Sequence, residues 1–339
     1  MKRITQKEVA QRAGVSRATV SYVLNGHAKS RVPISDETRR KVLDAASKLG
    51  YQPDSSARTL RSGLSRTIGV LVPDMGNPHY WQLLTGIERA AHAEGYTLLL
   101  FHTALMRSEE DVGLRELAQR KIDGVILISS YPPTWPQTAL VISSLHRPVV
   151  DLSNVDSPFD RIVSDYHEPT TKLMEYLIGL GHTRIAFVYG VATPEVGFDR
   201  LDPYREALAR NGIEADEELI VRCGPTMEAG YRAASGLLEL RRRPTAILAI
   251  NDMLAAAVLR AAKDRAVAVP EGLSVAGFDD IPFASYLTPS LTTVHRDTER
   301  VGEQAFALLL ERMADPHMPI VTRRAASTLV IRESTGPPR

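Results

Sequence analysis

A chain of 339 residues, 44% hydrophobic and 24% charged, is too long for one compact core and too apolar for wholesale disorder. No apolar run approaches the roughly 20 residues of a membrane span, the opening stretch lacks the apolar region of an export signal, and the single Cys223 forbids an internal disulfide, so a cytoplasmic protein is expected. A net charge of +1 hides an uneven distribution: residues 1–63 carry thirteen Lys/Arg against five Asp/Glu, a net of +8, which leaves −7 on the remainder.

A basic head on an acidic body fits a nucleic-acid binder with a separate sensing part. A solvated helical face fits equally well, so charge alone leaves both open. The elements sharpen the choice. Thr5-Gln6-Lys7-Glu8 has the form of a capping box, and Val9, Ala10 and Ala13 follow at helical spacing. Gly14 supplies a left-handed turn and Val15 can plug the corner. Ser16 can cap a second helix that turns Val20, Val23 and Leu24 inward and ends at Asn25-Gly26. A third helix runs from near Ser35 through Val42, Leu43, Ala46 and Leu49 to Gly50. Three short helices with a tight glycine turn between the first two make a helix-turn-helix. Residues 54–63 are too few for a stable lone helix and read as a linker that becomes helical when supported.

From Thr67 strands and helices alternate. Continuous apolar runs at 68–72, 97–101, 124–128, 149–152, 185–189, 246–250 and 273–276 predict strands of a parallel sheet buried on both faces. Helices are expected at 78–93, 109–119, 170–180, 203–211, 228–240 and 252–264, the first capped by Asn77 with Pro78 in the opening position. A long helix at 298–313 and a strand at 327–331 close the pattern. A four-strand run followed by a new start near Ile185 predicts two doubly wound halves.

The blocks ITQKEVAQRAGVSRATVSYVLNG, GYQPDSSARTL, SRTIGVLVPDMGNPHY, LIGLGHTRIAFV, AILAINDMLAAAVLRA, LSVAGFDDIPFASYLTPSLTTV and HRDTERVGEQAFALLL, in this order, resemble the LacI/GalR family of bacterial transcriptional regulators over essentially the whole chain. The resemblance implies an α/β protein: an N-terminal all-α helix-turn-helix headpiece, then a two-subdomain core like the type I periplasmic binding proteins, with parallel sheets. The implied boundaries are a headpiece at 1–50, a hinge helix and linker at 51–66, and a core at 67–339. Within the core, an N-subdomain spans about 67–164 and 298–325 and a C-subdomain about 165–295 and 326–333. The implied partners are pseudo-palindromic double-stranded operator DNA, a small-molecule effector and a second copy of the chain. No membrane, cofactor or metal is implied. The tail STGPPR lacks leucine heptads, so a dimer rather than a tetramer is expected.

Carried onto this sequence, the family's base-reading positions fall on Arg17, Ala18 and Tyr22, and its backbone contacts on Thr5, Thr19, Ser21 and Asn25. Arg17 can pair bidentately with guanine, whereas Ala18 offers only a methyl group. Thr5 and Ser21 have a second reading, simple capping or a solvent-facing hydroxyl. In the Tyr51-to-Leu60 block, Leu60 matches the family's minor-groove wedge and Ala57 the small residue that lets paired hinge helices approach.

The effector positions fall on Asn77, His79, Tyr80, Asp151, Arg200, Asn251, Asp279 and Arg296, with Pro225 nearby, in the crevice at the carboxyl ends of the strands. Asn251 can instead cap the helix that follows, and Arg296 can instead be a surface ion-pair partner. Of Asp279 and Asp280, only the first is expected to face inward. Should both Arg200 and Arg296 face the crevice, a carboxylate- or phosphate-bearing effector is one option beside a sugar or sugar derivative; a purine-type co-repressor is another. Pro169 and Pro203 stand where the family commonly has glycine, and both are expected in a first helical turn, where proline is tolerated.

Rival classes fare worse. Gly272-Leu-Ser274-Val-Ala-Gly277 has the wrong spacing for a nucleophile elbow, Gly179-Leu-Gly181 follows a helix and lacks a third glycine, and the nine histidines lack metal-ligand spacing. An enzyme is therefore not expected. A solute-binding protein without DNA binding would suit the core but not the basic helical head.

Overall fold

The computed structural model describes residues 4–24, 34–51, 63–128, 136–154, 157–190 and 198–339. The chain divides into two compact units, Met1–Ser65 and Arg66–Arg339.

In the first unit, α1 (Gln6–Ala13), α2 (Arg17–Leu24) and α3 (Asp36–Leu49) surround a small core of Val9, Ala10, Val20, Val23, Val42, Ala45 and Ala46. The Thr5 capping box is formed at both ends, and Gly14 turns the chain out of α1 at φ 66°. Leu43 is 49% exposed, because the buried stripe of α3 passes through Val42, Ala45 and Ala46 and leaves position 43 about 100° away.

The second unit holds two six-stranded sheets. The first contains β1 (Thr67–Val72), β2 (Thr97–His102), β3 (Gly124–Leu127), β4 (Val149–Asp151), β5 (Asp160–Ser164) and β11 (Thr322–Ala325), in the order β11-β5-β4-β3-β1-β2. All its pairings are parallel. The second contains β6 (Ile185–Gly190), β7 (Ile220–Cys223), β8 (Ala246–Ala249), β9 (Ser274–Asp279), β10 (Thr292–Arg296) and β12 (Ser327–Val330), in the order β12-β10-β9-β8-β6-β7. Only its β10–β12 pairing is antiparallel. Each sheet reverses direction at its first strand, so each has a switch point where the following loops diverge and leave a crevice.

The helices that cover the sheets are α4 (Pro78–Ala93), α5 (Arg107–Gln119), α6 (Pro136–Ser144), α7 (His167–Gly179), α8 (Phe198–Arg210), α9 (Met227–Glu239), α10 (Asp252–Asp264) and α11 (Thr298–Ala314). The chain passes from one sheet to the other after β5, after β10 and after β11. Strands β5, β7, β10 and β11 and helix α6 were not expected. They are short, and β5 and β11 carry Asp160, Arg161, Arg323 and Arg324 in place of an apolar run. Pro203 is a correction: α8 opens at Phe198, so the proline lies inside the helix and cannot donate to the Asp199 carbonyl one turn earlier. Pro169 does sit in the first turn of α7.

Candidate functional site

On α2, Arg17, Ala18 and Tyr22 are exposed, while Val20 and Val23 face the core. The helix therefore presents its basic, aromatic side outward. Ser16 accepts from the Thr19 amide at 3.1 Å and pairs with the Thr19 hydroxyl at 2.9 Å. The Thr5 hydroxyl is exposed and is held by Glu8 at 2.8 Å, so its capping role is real and leaves a lone pair outward. Ser21 is half-buried. Asn25, Ala57 and Leu60 lie outside the described residues.

The crevice of the second unit holds a cavity of about 170 Å³. Strand ends supply its walls: Asn77 follows β1, Ser153 and Asn154 follow β4, Asn251 follows β8, Asp279 ends β9 and Arg296 ends β10. His79 and Tyr80 come from the first turn of α4, and Arg200 from that of α8. Pro225, whose place was open in the sequence, also lines it.

Two of these groups serve a helix as well. Asn77 Oδ1 accepts from the His79 amide at 3.0 Å, and Asn251 Oδ1 accepts from the Leu254 amide at 2.9 Å. Each cap spends the oxygen and leaves the Nδ2 donor for the cavity. For Asn251 the capping and lining readings are thus both true.

Arg200 is buried, with its guanidinium carbon 3.4 Å from the centre of the Tyr166 ring and 5.2 Å from that of Phe278. Its Nη1 donates to Asp199 Oδ1 at 3.0 Å. Burial opposes the charge, but Asp199, Tyr166 and Asp279 outweigh it and hold the pKa above its ordinary value. Nε has no partner among the described residues.

Arg296 is buried too, so the surface ion-pair reading is set aside. Its Nη1 donates to Ser164 and its Nη2 donates to His79 Nε2 at 2.7 Å. Asp279 is buried; desolvation raises its carboxyl from 3.8 to about 6, partly offset by Arg200 and Arg296. Its φ of 102° and the 51° of Asp280 are left-handed values rarely adopted outside glycine, and such strain concentrates at binding sites. Asp280 turns away, to Arg332 at 2.7 Å and His295 at 3.0 Å.

Asp151 requires a correction. It is fully buried but does not line the cavity, because its carboxylate accepts from the Ser153 amide at 2.8 Å and the Ser153 hydroxyl at 2.9 Å. It holds Ser153 in the wall instead. Burial raises its carboxyl to about 6 against those hydrogen bonds.

Asn154 and Asp199 are the residues that sequence reading missed. Asn154 exchanges two 2.9 Å bonds with the Ser164 backbone and donates to Asp199 Oδ2 at 2.7 Å. Asp279, His79, Arg296, Ser164, Asn154, Asp199 and Arg200 thereby form a train of polar contacts that passes between the two halves four times. The only sequence signal was adjacency to Arg200 in one case and a strand end in the other.

Comparison with known proteins places this geometry. Residues 5–54 match the model of bacterial regulatory proteins of the lacI family, and residues 174–335 match that of a periplasmic binding protein-like domain. An HTH-type transcriptional repressor PurR from Vibrio atlanticus is 33% identical over 335 residues, covering 96% of this chain and 99% of that protein. The chain belongs to the LacI family. A PurR from Erwinia tasmaniensis is 34% identical over 98% of this chain and 97% of that protein. The lac repressor dimer bound to operator and the anti-inducer ONPF superposes with a TM-score of 0.84 at 26% identity, covering 99% of this chain and 100% of that one. A transcriptional regulator CelR–cellobiose complex superposes at 0.73 and 28%, covering 98% and 100%. LacI-family repressors bind operator DNA, respond to small-molecule effectors and form dimers, and this chain is a DNA-binding transcriptional repressor of that kind. Among the described residues no helix is long and apolar enough to cross a membrane.

Proposed function

We propose that the cavity between the two sheets is the effector site and that its occupant is a small, neutral, hydroxyl-bearing molecule, a sugar or a sugar-containing compound. The observation that carries this is the charge of the lining. Arg200 and Arg296 face the cavity, and three carboxylates line it with them, buried Asp279 and half-buried Asp199 and Asp74, so no positive charge is left over for an anion. Around these charges stand donors and acceptors at several angles: the Nδ2 groups of Asn77 and Asn251, Ser153, and Tyr80. A polyol satisfies such a lining without adding an unpaired charge. Structural neighbours bound to cellobiose and to ribose support the same ligand class. A carboxylate or phosphate effector is the second reading, favoured by the Nε of both arginines, which has no partner among the described residues.

Under this reading the roles divide by residue. Arg200, Arg296, Asp279, Asn77, Asn251, His79 and Tyr80 contact the effector, while Asp151 fixes the wall through Ser153. Arg17, Ala18 and Tyr22 read bases; Thr5, Thr19, Ser21 and Asn25 meet the backbone. The headpiece comprises residues 1–50, the hinge 51–66 with Leu60 as wedge and Ala57 at the paired-helix contact, and the core 67–339 with subdomains at 67–164 plus 298–325 and 165–295 plus 326–333. The protein acts in the cytoplasm. No catalytic step is assigned to it, because the family it belongs to is one of transcriptional regulators.

A thermal-shift panel of neutral sugars, sugar acids, phosphosugars, nucleosides and purines on the full chain tests the ligand class, because only a ligand of the folded state stabilises it. Stabilisation by a neutral sugar or nucleoside, with altered affinity for a selected operator duplex, is the expected result. Stabilisation by anionic compounds alone would install the second reading.

A further inference from the structure

Asp252 opens α10 directly after Asn251, but the cap of that helix is Asn251, and the Asp252 carboxylate turns to the neighbouring strands instead. Its Oδ2 accepts from the Ile281 amide at 2.9 Å and its Oδ1 from the Thr293 hydroxyl at 2.6 Å. The Thr293 oxygen in turn accepts from the Asp280 amide at 3.4 Å. Two successive amides of the turn after β9, those of Asp280 and Ile281, thus end on one carboxylate, the first of them through a single hydroxyl. Gly277 makes the room. It pairs with Thr293 across β9 and β10, and a Cβ there would collide with Asp252 Oδ1.

Asp252 and Thr293 are both fully buried, and neither lines the cavity. Burial, with the Asp279 carboxylate nearby, pushes the Asp252 pKa well above its ordinary value, so this acid is kept in the core at a cost. What it holds is a strained stretch of backbone. Asp279 and Asp280 have φ of 102° and 51°, and two left-handed residues in a row that are not glycine persist only where their surroundings fix them. From outside, Arg332 and His295 grip the Asp280 carboxylate. From inside, Asp252 and Thr293 grip the two amides. Asp279 begins that turn, and a relaxed φ there would re-aim its side chain, because Cβ turns with φ once the strand before it is fixed.

We propose that Asp252 and Thr293 are positioning residues for effector binding: they lock the turn at 279–281 and through it set the direction in which the Asp279 carboxylate enters the cavity. This rests on the cavity being the effector site. It adds that two residues which never touch the ligand govern its affinity through one that does. The chemistry of the relay is specific. Position 293 must accept from an amide and donate to a carboxylate at once, which a hydroxyl does and a methyl group does not. Position 252 must accept at both of its terminal atoms, which a carboxylate does and an amide does not.

Calorimetric titration of the full chain with D-ribose, D-glucose, D-galactose, cellobiose, adenosine and inosine identifies a probe that binds, and variants are then measured with it. Thr293→Val keeps the shape and removes the hydroxyl, Thr293→Ser restores it, and Asp252→Asn exchanges one acceptor for a donor. Thr293→Val and Asp252→Asn should each lose about tenfold or more in affinity, while Thr293→Ser should stay within about threefold of wild type. Hydrogen exchange over residues 279–283, read by mass spectrometry, should quicken in the first two and not in the third. In an Asp279→Asn background no carboxylate is left to aim, so Thr293→Val should there cost less than about threefold, read as a probe-dependent melting shift where binding is too weak for calorimetry. A loss in that background as large as in wild type makes Thr293 a general support of the wall and overturns the positioning role. A Thr293→Val variant that folds, by circular dichroism, and binds as wild type does overturns it too; both results leave the effector site standing. Wild type that binds none of the six probes overturns the ligand class and this inference together.

Discussion

Gly86 on α4 and Glu299 on α11 meet so closely that a Cβ on residue 86 would stand 1.9 Å from the Glu299 carbonyl oxygen. The contact is mutual, since a Cβ on Gly302 would stand 2.3 Å from the Leu83 carbonyl oxygen. Both helices begin at the cavity: α4 carries His79 in its first turn, and α11 starts two residues after Arg296. Gly86→Ala must push the helices apart, and overpacking of this kind costs about 1–3 kcal/mol or more. Calorimetry on the full chain should show a lowered core melting transition and titration a weaker effector affinity. An unchanged transition would mean that the crossing relaxes without strain.

Asp199 divides its carboxylate between the two halves, Oδ2 to Asn154 at 2.7 Å and Oδ1 to Arg200 at 3.0 Å. Asn154→Ala removes the first contact together with the two bonds to the Ser164 backbone, so a double-mutant cycle with Asp199→Ala isolates the Asn154–Asp199 bond, expected at about 0.5–1.5 kcal/mol of effector affinity. In the Asn154→Ala background Asp199→Ala should still cost affinity, because it leaves the buried Arg200 charge unmatched. No further loss there would show that the Arg200 pairing contributes nothing.

Among the buried carboxyls that desolvation raises, Asp151 and Asp279 make stability and effector binding respond to pH in opposite directions. Burial lifts Asp151 and Asp279 from 3.8 to about 6, so the folded state favours their protonated forms. Their contribution to stability is full below the unfolded value and is lost as pH rises through about 6. Asp151→Asn should therefore gain stability relative to wild type between pH 4 and 7, by up to about 3 kcal/mol. Urea unfolding of both proteins across that range reads the difference directly, and parallel curves would refute it. Effector binding runs the other way. If Asp279 accepts a ligand hydroxyl as a carboxylate, affinity should fall as pH drops through about 6, and Asp279→Asn should flatten that profile.

Arg17 is exposed at the start of α2, where a base-reading side chain must stand. Arg17→Ala should weaken binding to a selected operator duplex by about 1–3 kcal/mol and relax preference at one base pair in each half-site. Fluorescence anisotropy with single-base variants measures both. A uniform loss over all sequences, with a shallower salt slope, would instead make Arg17 a phosphate contact.

Local chemistry made some elements legible and long-range placement hid others. Helices Pro78–Ala93 and Asp252–Asp264 were delimited to the residue because Asn77 and Asn251 are strong caps that mark their starts. Strands Asp160–Ser164 and Thr322–Ala325 were missed because β11 is a charged edge and β5 lies beside it, where no apolar run is required. Pro203 misplaced the start of α8, because proline is a better omen of a first turn than of an interior. Within the site, Arg200, Arg296 and Asp279 were visible through family pattern, whereas the Asn154–Asp199 bond joins residues 45 apart and left no local trace. Asp151 misled for a related reason: a carboxylate at a strand end looks the same in sequence whether it faces the crevice or is consumed by Ser153 two residues later.

Strands β11 and β12 are consecutive in sequence, separated by Ala326 alone, yet each completes a different sheet. Both halves thus wait for the same last stretch of polypeptide. Neither can close its edge until residues 322–330 have been made, so a frameshift or premature stop ahead of codon 322 strips the edge strand from both lobes at once rather than sparing one.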